Sequence, residues 1–242
     1  MRILITLVFA FVALIVSGQI STDRPTQSFS PYVMPSGKLQ IESGFVSERP
    51  QSKVDYYNVT YSNTLIRFGV VEGFEFRVTQ NYLGARTFGT GENGWSATSV
   101  GTKVHLNEEA NGIPQIAVIG TYSFANGSGP FKADTGIGDI RMLFRNTLSD
   151  RVTLDYNIGS IWDGDGALGA YTLCLGISAT DKLGVFLEPY GFFGKSAPAD
   201  HRFNTGFTYL ISDDFQVDAS IGNGLVPRAP DYFLSFGVGI LF

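Results

Sequence analysis

The chain contains two histidines, His105 and His201, and histidine beside a serine or aspartate is the usual general base of hydrolytic catalysis. The strand pattern described below places the two near opposite ends of a membrane-spanning sheet, about 30 Å apart, so they do not share a site. Asp200 precedes His201, but neighbours on an extended chain point to opposite faces. We therefore expect no catalytic residues and no enzymatic activity.

Charged side chains supply most of the remaining chemistry, and they fall on one phase of alternating segments. Both signs are interleaved along that phase. This mixture favours ion pairs that fill an interior over the single-sign ring of an ion-selective pore. The residues that we predict to line the lumen, as a candidate solute path, are Glu42, Arg67, Glu75, Arg77, Lys103, Asp139, Arg141, Arg145, Asp155, Glu188, Arg202 and Asp218.

Two further features indicate structure more than chemistry. Cys174 is the only cysteine, and it lies between two leucines on an alternating segment. This position predicts a small buried side chain that fills space in the interior, not a reactive thiol. The sequence from Trp162 to Gly166 (WDGDG) offers carboxylates for calcium, but it lacks the further oxygen ligands of a calcium loop and predicts a tight turn. We expect neither a metal site nor a cofactor.

These side chains must be positioned by strands, because apolar residues recur with a period of two. The segments are about 10 to 13 residues long, which suits a tilted membrane strand better than a strand of a soluble sandwich. In the last segment the apolar phase comprises Tyr232, Leu234, Phe236, Val238, Ile240 and Phe242.

The pattern predicts an all-β fold, an antiparallel transmembrane β-barrel of about 12 strands. The second strand changes phase, which predicts a bulge near residues 62–64. The predicted strands are 38–47, 56–70, 74–83, 96–106, 114–125, 137–148, 152–162, 167–179, 183–194, 201–211, 215–223 and 231–242.

Every second connection, except the longer one at 107–113, is a polar turn of about three residues, as at 149–151 and 212–214. The others, except the short one at 163–166, are mostly longer and rich in glycine, proline and asparagine. Short turns face the periplasm in outer-membrane barrels. We therefore predict that both termini are periplasmic and that the loop at 84–95 is extracellular. Outward residues must stay on one face across each hairpin, so Leu148 is predicted to oppose Val152 and Arg145 to oppose Asp155.

The N-terminus predicts a cleaved signal peptide over residues 1–18. Arg2 precedes an apolar run from Ile3 to Val16 that is too short to cross a bilayer, and small residues follow it. No cysteine stands at this junction, which excludes the lipid-modified cysteine of a lipoprotein. The barrel is predicted over residues 37–242, and a net charge of −5 disfavours nucleic acid as a partner.

Residues 19–36 contain three prolines and no sustained alternation, so they are not a further strand. One interpretation is a loose periplasmic tail. The other is a plug, in which Asp23 and Arg24 fold back into the barrel and are held by opposite charges such as Arg77 and Glu42.

Several motifs together resemble one family. They are Thr22-Asp23-Arg24-Pro25, then Pro35, Gly37, Gln40, Glu42, Gly44 and Phe45, followed by Arg67, Gly69, Glu75 and Arg77. From about residue 20 to the C-terminus the chain is similar to outer-membrane proteins labelled "putative MetA-pathway of phenol degradation". The resemblance implies a transporter-like barrel associated with uptake of aromatic or other hydrophobic compounds, and it implies no catalytic residue.

Together these observations predict an outer-membrane transporter or narrow channel for passive passage of a small hydrophobic or aromatic solute. A wide general porin is disfavoured because about twelve strands enclose little more than their own side chains. The alternative is a non-transporting barrel with a structural or surface-interaction role. Expected partners are outer-membrane lipid, the solute, and the barrel-assembly machinery acting on the C-terminal strand that ends in Phe242.

Overall fold

The computed structural model describes residues 19–50, 57–87, 90–164, 166–194, 199–227 and 229–242. The predicted signal peptide lies outside these residues. Among them, no helix is long and apolar enough to span a bilayer. The elements are β1 (Leu39–Arg49), β2 (Tyr57–Val71), β3 (Phe74–Thr87), β4 (Thr90–Trp95), β5 (Ser99–Asn107), β6 (Gln115–Ser123), a 3-10 turn (Gly129–Phe131), β7 (Ile137–Ser149), β8 (Val152–Asp163), β9 (Gly166–Ser178), β10 (Leu183–Phe193), β11 (Asp200–Ser212), β12 (Phe215–Gly224) and β13 (Tyr232–Leu241).

The strands form one closed antiparallel sheet. Strands that are adjacent in sequence pair with each other, except for β4 and β5, and β1 pairs with β13 to close the barrel. Both β4 and β5 pair with β3, at its far and near halves respectively, so they are two parts of one interrupted strand. The barrel therefore has twelve strand positions, as the sequence predicted.

The connection predicted as a loop at 84–95 is instead mostly a hairpin, because β3 continues to Thr87 and pairs with β4. Most of β4 is exposed on both faces, which removes the apolar alternation that marks a membrane strand. Its second edge is covered by the 124–136 connection, where Trp95 donates its backbone N–H to the Ser128 hydroxyl and accepts from the Ser128 N–H. This cover protects an edge strand that extends past the barrel wall.

The predicted opposition of Arg145 and Asp155 is confirmed. The predicted opposition of Leu148 and Val152 is wrong, because a one-residue shift beside the turn pairs Ser149 with Val152. A register shift in β2 lies between Thr60 and Ser62, adjacent to the predicted bulge. Because the side-chain period is two, these registers decide which residues face inward.

The two faces of the wall differ sharply in polarity. On β13, outward Phe236 is 56% exposed and Ile240 is 38% exposed, whereas inward Ser235 is 5% exposed. Outward apolar side chains continue around the barrel, and most buried polar residues point into it. A wide exposed apolar surface on a closed barrel is the surface that contacts lipid hydrocarbon.

Candidate functional site

The N-terminal segment, residues 19–36, lies against the inner wall of the barrel. It enters at the end where the short turns lie, because the Ile20 N–H donates to the Asp213 carbonyl at 2.7 Å. It leaves at the same end, where the Gly37 N–H donates to the Gly69 carbonyl at 2.8 Å. Between these points the chain loops into the interior and back.

Buried carboxylates of the wall hold the backbone of this segment. Glu42 accepts the N–H groups of Asp23 and Arg24, both at 3.0 Å. On the opposite wall, Glu188 accepts the N–H groups of Gln27 at 2.9 Å and Ser28 at 2.6 Å. An irregular segment inside a barrel has no sheet partners, so side chains must satisfy its buried N–H groups.

Two further wall residues complete this arrangement. Asn157 accepts the Phe29 N–H at 2.7 Å and donates to the Phe29 carbonyl at 2.9 Å, as a neighbouring strand would. Glu75 accepts the Met34 N–H at 2.9 Å. The segment is therefore fixed at several points around the circumference of the wall.

The Asp23 carboxylate lies at the centre of a cationic cluster. It is 2.6 Å from Arg77 Nη1, 3.3 Å from Lys103 Nζ and 3.9 Å from Arg67 Nη1. Burial alone would raise the pKa of Asp23, but the nearby positive charges of Arg67, Lys103 and Arg77 hold that pKa well below its ordinary value. Asp23 is therefore ionised at physiological pH.

Glu75 and Glu42 complete the cluster. Arg67 forms a bidentate pair with Glu75, with both N–O distances 2.9 Å, and its Nη1 is 3.1 Å from Glu42 Oε1. Three cations on the wall thus face two wall carboxylates and Asp23. The N-terminal segment supplies the anion that balances this charge cluster, which we call the central cluster.

Arg24 makes a separate contact with the closing seam of the barrel. Its Nη2 donates to Asp218 at 3.3 Å and to the Ser235 hydroxyl at 2.8 Å. Glycines stand on the paired strands at this point, and a Cβ added at Gly44 or Gly237 would overlap the Arg24 guanidinium. The guanidinium therefore pairs with Asp218, whereas the predicted partner Glu42 binds only the backbone of Arg24.

The remaining predicted lumen residues form local pairs away from the central cluster. Arg141 lies 2.7 Å from Asp139, and Arg145 lies 2.7 Å from Asp155. Arg202 pairs with Asp200 at 2.7 Å and with Glu48 at 2.9 Å. The sequence analysis does not predict the partners of Arg202. It considers Asp200 only as a catalytic partner of His201, and Glu48 lies one residue past the end of the predicted first strand.

The Arg145–Asp155 pair, predicted from hairpin register, is confirmed by two hydrogen bonds of 2.7 and 2.8 Å. We expect Asp155→Ala to lower the stability of the folded barrel by about 1–3 kcal/mol, because it leaves a partly buried guanidinium unpaired. Adding Arg145→Ala should restore part of the loss. Heat-dependent unfolding in detergent measures both steps, and purely additive losses would contradict the coupling.

The histidines occupy separate places. His105 lies beside the β2–β3 turn, with Nε2 3.2 Å from Glu108. His201 lies at the other end of the barrel, where Nδ1 contacts the Tyr171 hydroxyl at 3.0 Å while Asp200 binds Arg202 on the inner face. Cys174 is buried, and within the described ranges no group of three potential metal ligands occurs.

Within the described residues, the lumen contains an inner and an outer cavity. The inner cavity, of about 980 Å³, opens between the short turns and is lined by residues such as Asp150, Arg151 and Lys182. The outer cavity, of about 520 Å³, lies towards the long loops and is lined by residues such as Glu48 and Phe192. Arg24, Pro25 and Thr26 line both cavities. At these residues the N-terminal segment lies between the two cavities.

Comparison with known proteins agrees with this architecture. A family model described as "Putative MetA-pathway of phenol degradation" matches residues 22–242. No curated protein sequence gives a significant match.

Solved structures of outer-membrane channels share the fold. The COG4313 outer membrane channel from Pseudomonas putida F1 superposes with a TM-score of 0.73 at 8% identity, covering 90% of this chain and 100% of that one. The KdgM porin gives 0.57 at 14% identity, covering 82% and 98%. The CymD monoaromatic hydrocarbon channel gives 0.50 at 8% identity, covering 86% and 88%. At these identities the likeness establishes the fold.

Proposed function

This chain belongs to the family described as "Putative MetA-pathway of phenol degradation", and we propose that it is a passive outer-membrane channel for small hydrophobic or aromatic solutes. The apolar outer surface and the closed barrel place it in a bilayer. Family membership and the aromatic-hydrocarbon channel with the same fold support the solute class.

The observation that carries the proposal is the pair of cavities on either side of Arg24–Thr26. A purely structural barrel has no need of cavities on both sides of an internal segment, because interior side chains can fill a barrel of this size. Here the wall leaves a cavity on either side of the N-terminal segment, and residues 24–26 of that segment lie between the two cavities. Movement of that segment would join the cavities into a continuous channel.

We assign the N-terminal segment as the gate. Its first residues are held by the backbone hydrogen bond from Ile20 to Asp213 and by the Gln40 and Arg67 side chains, which donate to the Ser21 carbonyl. Its last residues continue directly into β1. Gly37 follows it with a positive φ of 78°, in a place where an added Cβ would meet no atom within 4 Å. On this proposal the first half of the segment moves out of the lumen about Gly37, and the charged residues of the lumen hold it in place while the channel is closed.

Solute flux into liposomes tests the channel function. Purified barrel, reconstituted in vesicles, should let small neutral aromatics and short aliphatic alcohols enter faster than protein-free vesicles, and it should exclude oligosaccharides. Absence of added flux, both in the complete protein and in a variant lacking residues 20–36, would favour the structural barrel instead.

We also propose that the protein carries out no enzymatic reaction, since its two histidines lie at opposite ends and its carboxylates serve ion pairs or backbone contacts.

The expected partners are lipid and the assembly machinery. Outer-membrane lipid contacts the apolar outer surface of the barrel. Phe242 is 59% exposed at the end of the closing strand, where the barrel-assembly machinery would recognise it.

Orientation follows from the short turns at one end and the β3–β4 hairpin at the other. An epitope tag inserted near Gly91 should be labelled by antibody on intact cells. A tag within Ser149–Arg151 should be labelled only after the outer membrane is opened. The reverse pattern would invert the proposed topology.

A further inference from the structure

One aromatic ring of the N-terminal segment occupies a defined place on the inner wall. Phe29 packs against Ala117, Ile119 and Leu143, three apolar residues of the inner wall that are at most 2% exposed. Two guanidinium groups lie over the same ring, with Cζ of Arg77 and of Arg141 each 5.4 Å from the ring centroid. Such distances are those of cation–π contacts.

We call the place formed by Ala117, Ile119, Leu143, Arg77 and Arg141 the phenyl site. The wall itself holds both of its cations. Arg141 is fixed by Asp139 with three N–O distances between 2.7 and 3.1 Å, and Arg77 donates to Glu75 at 2.9 Å. Both carboxylates belong to the barrel strands. Loss of the Phe29 ring alone therefore leaves both cations with their wall partners.

The phenyl site also borders free volume. Phe29, Arg77, Arg141 and Ile119 all line the outer cavity of about 520 Å³. A solute that enters from the loop end would meet this apolar patch with its paired guanidiniums directly before the partition. Aliphatic compounds could contact the apolar patch, but only an aromatic ring also gains from the two cations.

We propose that the phenyl site is the ring-recognition site of the channel for monoaromatic solutes, and that Phe29 occupies it as an internal competitor. This inference rests on the proposed channel function and specifies its solute class. Release of the segment vacates the site as the path opens, so the same movement that joins the cavities exposes the surface that selects aromatic rings.

Phe29→Ala vacates the site without releasing the segment, because Asn157 binds the backbone of residue 29 and not its ring. Phe192→Ala is the matched control, since Phe192 lines the same outer cavity but is not part of the phenyl site. Phenol and cyclohexanol are the probes, similar in size and hydroxyl content but differing in aromaticity.

The readout is the methyl NMR signals of Ile119 and Leu143 in detergent-solubilised protein. In Phe29→Ala, phenol should shift these methyl signals saturably and bind about tenfold more tightly than cyclohexanol, measured by competition. The complete protein and Phe192→Ala should show no saturable shift. Adding Arg141→Gln to Phe29→Ala should remove most of the preference for phenol.

Equal affinities for the two probes in Phe29→Ala, or no saturable binding there, would overturn the phenyl site. A matching shift in Phe192→Ala would do so too, because it would mean binding anywhere in the cavity. The NMR experiment measures binding and not transport. If phenol does not bind but the liposome flux is normal, the phenyl site is wrong and the channel function is unaffected. Saturable binding in a barrel that gives no flux would instead contradict the channel.

Discussion

Deleting Ile20–Ser36 while keeping residues 1–19 should raise the single-channel conductance of the barrel several-fold. The deleted stretch contains Arg24, Pro25 and Thr26, which line both cavities, so the cavities of about 980 and 520 Å³ should then become one water-filled path. It also removes one negative and one positive charge, Asp23 and Arg24, so the net charge of the interior is unchanged. Planar-bilayer recording of the refolded variant measures the effect.

The barrel should still fold, because strand pairing around the wall involves no residue of the deleted segment. Water entering the lumen can solvate the wall charges that the segment leaves. As a control, the segment is replaced by an equally long glycine-serine linker, which should also conduct because it offers no Asp23 to the central cluster. Unchanged conductance in a correctly folded deletion variant would show that the segment does not limit the path.

Asp23→Asn should release the gate without shortening the chain. The substitution keeps the side-chain shape but leaves Arg67, Arg77 and Lys103 facing two carboxylates in place of three. Breaking a buried ion network on one side costs about 3–5 kcal/mol. In the variant, this cost is avoided when the N-terminal segment moves out of the lumen. The ratio of open to closed channels should therefore rise by on the order of 100-fold or more. Open probability in bilayer recordings is the measurement.

Charge balance provides the control for this variant. Adding Lys103→Met removes one surplus cation and should return part of the closed state, whereas Asp134→Asn, on an exposed loop, should leave gating as it was. If the open probability of Asp23→Asn equals that of the unmodified protein, the central cluster does not hold the N-terminal segment in the closed position.

The pH dependence of this difference has a definite sign. The pKa of Asp23 is depressed in the folded protein, so its charge stabilises the closed state above its unfolded pKa of about 4 and is lost only in strong acid. The difference between the unmodified channel and Asp23→Asn should therefore be the same at pH 5 and pH 6.5. A difference that disappeared between those values would mean that Asp23 titrates there.

The barrel wall was largely predictable from local pattern. A period of two assigns each side chain to the lipid or the lumen, and polar turns fix the hairpin register, so the opposition of Arg145 and Asp155 followed from sequence alone. The hairpin of β3 and β4 was missed because, beyond the membrane, both faces of a strand meet water and alternation disappears. The inward set of charges was predicted, but its division into a central cluster and local pairs was not.

The path of the N-terminal segment was decided only by tertiary structure. Residues 19–36 have no periodicity, and their contacts join positions far apart in the chain, such as Asp23 with Lys103 and Arg24 with Asp218, separated by 80 and 194 residues. Barrel closure brings those partners together, and no local pattern records it. The sequence by itself therefore determined a lipid-facing wall with a charged interior. Closure of the barrel brings Asp23 to three cations and places two guanidinium groups over the Phe29 ring. It also places the N-terminal segment between the two cavities of the lumen.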